Sequence, residues 1–430
     1  MAIMKIISHN DREFKKTLDQ VCRRGSQQNA KIEGRVKRIL QSVERAGDAA
    51  VCRYVKQFDG LRLRPNEFQV KKDEIEQAYQ HIGKQERNAL QMAAKRIRSF
   101  HERQRVSTWM HTEKGVKLGQ LITPLDVVGL YVPGGKALYP STVLMNAVPA
   151  KVAGVKRVIM CTPTASGEIH PYLLVAADVA GVDEIYRIGG VQAIGAMAYG
   201  TQHIPKTDKI VGPGNMYVAA AKRVVYGTVD IDMIAGPSEL LVIADDTANP
   251  VHCAADLLCE AEHDEEARVY LVTPSASVAK AVVKEVAKQL ARLSRKQIAT
   301  HSVGQYAIAF VTSTMEQAFD VANAIAAEHL ELLVTRPFQA LKKVRHAGAV
   351  FVGAYTPPAV ADYVAGPNHV LPTGGSARFF SALSLDDYVK KTNIVAYNKK
   401  QLKAVQPYVT CLAGMEGFQA HARSIESRNL

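Results

Sequence analysis

Apolar and polar positions alternate with different periods in different parts of the chain. Between residues 10 and 110 apolar residues recur three and four apart with charges between them. The stretch "KKDEIEQAYQHIGKQERNALQMAAKRIRSFHERQR" shows the pattern, which predicts amphipathic helices with few breaks and Trp109 at their end. The character changes near residue 121. Short apolar runs that read as strands ("DVVGLYVPGG", "RVIMCTPT", "EIYRIGG", "KIVGPGN") alternate with helical stretches ("VLMNAVPAKVAGV", "YLLVAADVAGV", "VQAIGAMAYG", "MYVAAAKRVVYG"). A second set follows, with strands in "ELLVIADD", "RVYLVTP", "YAIAFVTS", "ELLVT" and "GAVFVG". Its helices lie in "VHCAADLLCEAEH", "SVAKAVVKEVAKQLARL" and "MEQAFDVANAIAAEHL". Such alternation marks doubly wound parallel sheets and predicts two open α/β sheets in one polypeptide. The tail from about residue 382 reads as a mostly helical piece. Its last helix is too polar and short to hold a core alone, so it is expected to pack on another domain or subunit.

Composition narrows the class. The 430 residues suffice for two or three domains, and 47% hydrophobic with 22% charged residues is the balance of a soluble globular protein. No apolar run approaches the length of a membrane span, and "MAIMKIISHNDREF" lacks the apolar core of a signal peptide, so a cytoplasmic location is expected. Six scattered cysteines without a C-x-x-C pair argue against a disulfide framework and a cysteine zinc site. Cys259 reads as a core thiol. The net charge of +13 suits anionic ligands, but the basic residues are dispersed and no nucleic-acid-binding signature appears.

Three glycine-rich turns each follow a predicted strand and precede a helix: "YVPGGK" (131–136), "RIGGVQAIG" (187–195) and "VGPGNMYV" (211–218). In open α/β sheets ligands bind at such strand ends, near helix N-termini. None is a full G-x-G-x-x-G, since Tyr217 takes the third glycine position, and no Walker A motif occurs. The turns therefore predict a ligand edge, with a nucleotide as one occupant and a non-catalytic nucleotide-binding module as one possible protein.

The remaining chemistry lies in histidines beside carboxylates. In "LLCEAEHDEE" (257–266) Glu260 and His263 are three apart and, on a helix, share a face. Glu328 and His329 close the predicted helix of "AAEHL", His369 follows Asp362 by seven in "DYVAGPNHVLPTGG", and His421 follows Glu416 by five. Zinc takes imidazole nitrogen and carboxylate oxygen, so Glu260, His263, Asp362 and His421 make a candidate ligand set if the fold gathers them. Solvated acidic helix ends remain the alternative.

These segments, in their order, resemble the histidinol dehydrogenase family nearly end to end. The likeness rests on "VGLYVPGGKALYPSTVLMNAVPAKVAGV", "IGGVQAIGAMAYGT", "KIVGPGNMYVAAAKR", "IDMIAGPSELLVIAD", "AADLLCEAEHD", "AAEHLEL", "DYVAGPNHVLPTGGSARF" and "EGFQAH". The resemblance implies a zinc enzyme, one ion per subunit, that oxidises L-histidinol through the aldehyde to L-histidine with two NAD+. Tyr131, Gln192 and Asn215 fall on cofactor contacts, and Glu260, His263, Asp362 and His421 on zinc ligands. Ser238, His369 and Glu416, together with the zinc ligands and His329, fall on substrate contacts, and Glu328 and His329 on the acid–base pair. The implied fold is two incomplete Rossmann-like domains with small helical terminal segments. The implied division is an N-terminal helical segment 1–24, one domain from 25–130 and 238–381, a second from 131–237, and a tail 382–430. That tail packs on the partner of a homodimer. One residue departs from the pattern: the family usually carries glutamine where this chain has Glu260. The change keeps a zinc-binding oxygen, adds a charge, and opens the alternative of another small alcohol, such as a sulfonated propanediol.

Overall fold

The computed structural model describes residues 4–24, 30–134, 138–164 and 167–428. Its contacts divide the chain into two compact units. The first joins Met1–Gln104 to Asp126–Tyr388, and the second joins Arg105–Leu125 to Val389–Leu430. The strands are β1 (Lys5–Ser8), β2 (Trp109–Glu113), β3 (Val116–Pro124), β4 (Val127–Tyr131), β5 (Arg157–Cys161), β6 (Glu184–Tyr186) and β7 (Lys209–Val211). Further along lie β8 (Asp230–Ile231), β9 (Glu239–Ala244), β10 (Arg268–Thr273), β11 (Ile308–Val311), β12 (His329–Leu333), β13 (Ala349–Val352) and β14 (Val389–Tyr397).

The first unit holds both expected parallel sheets. One has the order β1-β11-β10-β9-β12-β13 and the other β6-β5-β4-β7-β8. Apart from β1, the two sheets share one winding. The chain starts in the middle, moves outward over three strands, then returns to the other side of the first. The order reverses between β9 and β12 in one sheet and between β4 and β7 in the other. Every residue of β9 is buried, which matches the unbroken apolar run "ELLVIA" of a strand covered on both faces. Cores on the two sides of this sheet use alternate residues: Leu240 and Val242 on one, Leu241 and Ile243 on the other.

Two expectations need correction here. The first 24 residues were read as helical, yet Ile7 is buried in β1, which pairs in parallel with β11 before the helix Phe14–Cys22 begins. Four residues are too few to show a period, and their partner lies far along the chain. The helix Ala30–Phe58 was assigned with the six-stranded sheet, but Val36, Leu40, Val43, Val51 and Val55 share a core with Ile159, Ile194, Met197 and Ile210 of the five-stranded half. An amphipathic stripe shows that a face is buried, but not against what.

The second unit is an antiparallel sheet of order β14-β3-β2, followed by helices Lys399–Met415 and Gln419–Glu426. The tail is mostly helical from residue 382, as expected, but the strand β14 precedes its helices, and Trp109 opens a strand. The nine residues of β14 pair with β3 throughout. Most of this sheet is exposed, including Trp109, Met110 and Val395. Its strands therefore carry little of the burial pattern that reveals a strand in sequence. No helix among the described residues is long and apolar enough to cross a membrane.

Candidate active site

The glycine-rich turns lie at the carboxyl ends of β4, β6 and β7, as expected for a ligand edge. In the first turn Gly135 and Lys136 fall outside the described residues. Tyr131 ends β4 buried, and its hydroxyl accepts the N–H of Gly190, 3.0 Å away, across the intervening β5. Burial pushes the Tyr131 phenol up to about 12, so it stays a neutral hydrogen-bonding group. Gln192 lies in the first turn of the helix Gly190–Tyr199, almost wholly buried, and its Oε1 has no hydrogen-bond partner. Asn215 caps the helix Met216–Val225, its Oδ1 accepting from the N–H groups of Tyr217 and Val218 at 3.0 and 3.1 Å. At Gly212 φ is +110°, and a Cβ there would strike the backbone carbonyl of Tyr131. Tyr131 and the 212–215 turn thus flank the reversal of strand order, where open α/β sheets bind ligands. The orphaned Gln192 oxygen fits a hydrogen-bond donor on a cofactor, and the helix N-terminus at Asn215 fits an anionic group on it.

The second cluster sits at the opposite, amino edge of the six-stranded sheet. The helix Pro250–Ala261 runs back from the carboxyl end of β9, so its last turn delivers buried Glu260 to the start of the neighbouring strands. His329 was expected at a helix end. Instead the helix Met315–Ile325 stops at Ala326, which adopts φ +51°, and His329 opens β12. Its Nδ1 lies 2.9 Å from Glu260 Oε2. Glu328, one residue earlier, accepts the Glu239 N–H at 2.9 Å. Ligand-capable atoms of Glu260, Glu328 and His329 all lie within 4.8 Å of one another. Asp362, on the short helix Pro358–Tyr363, places Oδ1 4.0 Å from His329 Nε2, which is buried without a hydrogen-bond partner.

Charge within this group is unevenly held. Burial opposes charge on His329, but Glu260, Glu328 and Asp362 outweigh it and raise the imidazole to about 10. Burial also opposes ionisation of Glu260, yet His329, His263 and a hydrogen bond with Ser238 hold it below the usual range. Glu328 is pushed well above the usual range by burial and by the neighbouring Glu260, against the pull of His329. Burial raises Asp362 as well. Three carboxyls around one imidazole, with an orphaned nitrogen, fit a site built for a divalent cation, whose charge would replace the proton on His329.

The helix ends at Ala261, so His263 lies just past it, with its N–H donating to the Glu260 carbonyl at 3.1 Å. His263 acts electrostatically on Glu260, Asp362 and His369. Half-buried His369 is lowered to about 4 by burial and by the charges of His329 and His263, so it is a neutral donor or acceptor. Ser238 immediately precedes β9. Glu416 and His421 belong to the second unit, at exposed positions, with the His421 ring stacked on Phe418 at 5.1 Å. Cys259 has a thiol raised to about 12 by burial, consistent with a core role. All six cysteines are free.

A family profile described as histidinol dehydrogenase matches residues 22–429. The chain belongs to the histidinol dehydrogenase family. It is 49% identical over 427 residues to a histidinol dehydrogenase of Syntrophotalea carbinolica, covering 99% of each chain. Over 422 residues it is 50% identical to one of Bacillus cereus, covering 97% of each. The crystal structure of histidinol dehydrogenase from Elizabethkingia anophelis superimposes with a TM-score of 0.93 at 37% identity, over 100% of this chain and 98% of that one. Membership in this oxidoreductase family agrees with the resemblance carried by the motifs.

Sequence reasoning passed over several buried charges around both sites. Arg24 and Glu239 form an ion pair with side chains 1% and 2% exposed, beside the N–H that holds Glu328. Buried Glu331, on the same face of β12 as His329, shares a hydrogen bond with Asp256, one helical turn before Glu260. Lys222 and Asp232 form a third buried pair. Lys222, Asp232 and Glu331 interrupt apolar runs ("AAAKRVV", "DIDMI", "HLELL"), whereas Arg24 lies in a polar stretch. A lone charge in such a run is the signal that was available, because it must be paired to be buried.

Proposed function

We propose that the chain oxidises L-histidinol to L-histidine through the aldehyde, consuming two NAD+, with one zinc ion per subunit. The buried Glu260–His329–Glu328 group carries this reading, because it combines a candidate metal ligand with two proton-transfer groups in one water-poor place. Glu260, His263, Asp362 and His421 would hold the zinc, and Tyr131, Gln192 and Asn215 the cofactor. When bound, the nicotinamide accepts hydride from carbon while zinc fixes the substrate for both oxidations.

The chain's own residues manage the protons. His329, neutral once a divalent charge offsets its carboxylate neighbours, takes the hydroxyl proton on Nε2 as the alcohol becomes an aldehyde. Its Nδ1 stays bonded to Glu260, which fixes the ring. Glu328, ionised once the same divalent charge offsets its neighbours, takes a proton from the water that adds to the aldehyde carbon, while His329 returns its proton to the aldehyde oxygen, giving the hydrate that the second oxidation needs. Ser238, His369 and Glu416 would supply hydrogen bonds to substrate. Glu416 and His421 are proposed to come from the tail of the other subunit of a homodimer, for which the exposed apolar residues of the second unit offer surface.

Glu260 itself favours a second reading, in which the added charge beside Asp362 retunes the site for another small alcohol such as a sulfonated propanediol. Zinc-reconstituted protein would be assayed for NADH with L-histidinol and with a panel of small alcohols and diols. Two NADH per histidinol supports the first reading. Turnover of another alcohol without turnover of histidinol replaces it with the second.

A further inference from the structure

Lys222 and Asp232 lie in the five-stranded half with side chains 3% and 1% exposed. Both grip a single residue, Gly212. The Gly212 N–H donates to Asp232 Oδ2 at 2.7 Å, and the Gly212 carbonyl accepts from Lys222 Nζ at 2.9 Å. The ammonium also donates to Asp232 Oδ1, which takes the Met233 N–H at 2.6 Å as well. The pair therefore binds both polar groups of the residue that opens the 212–215 turn. It also binds the first peptide of the loop 233–238, which leads into Ser238 and β9. Further along that loop the Gly236 N–H donates to Thr373 Oγ1 at 2.6 Å, four residues past His369.

A buried ion pair is a poor source of stability, because apolar residues of the same volume pack as well without the desolvation cost. What an apolar pair cannot do is orient a peptide group. Gly212 is the residue whose orientation matters, since it sits at φ +110° against the Tyr131 backbone. We infer that Lys222 and Asp232 are positioning residues that set the cofactor-binding turn and the start of the substrate loop together. This rests on reading the 212–215 turn as the NAD+ site.

The test is the double variant Lys222→Met/Asp232→Leu, which leaves no unpaired buried charge. NAD+ affinity by calorimetry, zinc per chain, unfolding temperature and both KM values would be measured beside wild type. The expected result is a weakening of NAD+ binding, and a rise in its KM, of roughly ten- to a hundredfold. Zinc content would stay close to wild type, and the KM for the alcohol would rise as well, by a smaller factor, because the pair holds only the first peptide of the loop that leads to Ser238. Lys222→Arg, which keeps the charge, would recover part of the loss. NAD+ affinity unchanged in the double variant would overturn the inference whatever the unfolding temperature. Should that variant not fold, the near-isosteric Asp232→Asn serves in the same assays with the same two outcomes. Wild type that binds no NAD+ would instead sink the reading of the turn itself.

Discussion

At the scale of single residues, the site is governed by how burial and neighbouring charge divide a few protons. Glu260 is the residue to change first. Its carboxylate is the foremost of the charges that raise His329. Glu260→Gln removes that charge and keeps a zinc-binding oxygen. Zinc should stay bound, and the acid limb of the pH–rate profile should move to lower pH, as the weaker base loses its proton sooner. A limb that stays in place would show that His329 does not set it. Glu331 offers a cleaner stability experiment. Burial, with Asp256 beside it, raises its carboxyl to about 9. Below its ordinary range the proton is bound in both folded and unfolded chains. Between there and about pH 9 only the folded chain keeps it, so stability falls as pH rises. Glu331→Gln donates the same hydrogen bond without titrating. Its advantage over wild type in urea should therefore grow from pH 5 to pH 8, by at most about 1.4 kcal/mol for each pH unit. An equal difference at both pH values would refute the assignment.

At the scale of elements, the two sites sit at opposite edges of their sheets for a topological reason. Strand-to-helix turns carry the candidate cofactor residues, so these lie at carboxyl ends. Glu260 lies at the end of a crossover helix and His329 at the start of a strand, so they lie at amino ends. The backbone is most constrained at Gly212. Gly212→Ala should cost roughly 1–3 kcal/mol and weaken NAD+ binding, because a side chain there needs a strained φ and meets the Tyr131 carbonyl. Gly304 is the control: it sits within the helix Lys296–Tyr306, and a Cβ there would meet nothing within 4 Å. Gly304→Ala should leave binding alone and gain up to about 1 kcal/mol. Thermal unfolding and calorimetry of the two variants would decide. A Gly212→Ala protein with normal NAD+ affinity would remove this turn from the cofactor site.

At the scale of the whole molecule, the open question is where Glu416 and His421 act. If the tail serves the partner's site, two inactive variants should rescue each other. Glu328→Gln spoils the body of one chain and His421→Ala the tail of the other. Co-expressed, they would form mixed dimers with one intact site, restoring roughly a quarter of wild-type activity in a random mixture. No recovery from a confirmed mixed dimer would place the tail with its own chain's site. A truncation test must respect the first unit's boundary. Leu383, Leu385 and Tyr388 are buried, and the Tyr388 hydroxyl donates to the Asn146 carbonyl at 2.9 Å. A cut near residue 380 would therefore damage the core, and it belongs after Tyr388.

What the sequence determined by itself was whatever local period and local chemistry encode. Most of the alternation from β4 to β13 was legible because strands buried on both faces are unbroken apolar runs, whereas the two-residue β8 and the helix Lys296–Tyr306 were passed over. The three turns were legible because glycine beside a strand end has few other uses. The motifs "CEAEH", "AAEHL" and "AGPNH" pointed to the candidate site residues through their likeness to a family. Tertiary structure alone decided how these pieces meet. Strand β1 exists through its pairing with β11, and β14 through its pairing with β3, partners distant in the chain. His329 left its predicted helix because Ala326 turns the chain into a strand held between β9 and β13. Lys222, Asp232, Asp256 and Glu331 look in sequence like blemishes in apolar runs, and Arg24 like one more surface base, because a buried charge has meaning only beside the partner that folding brings to it.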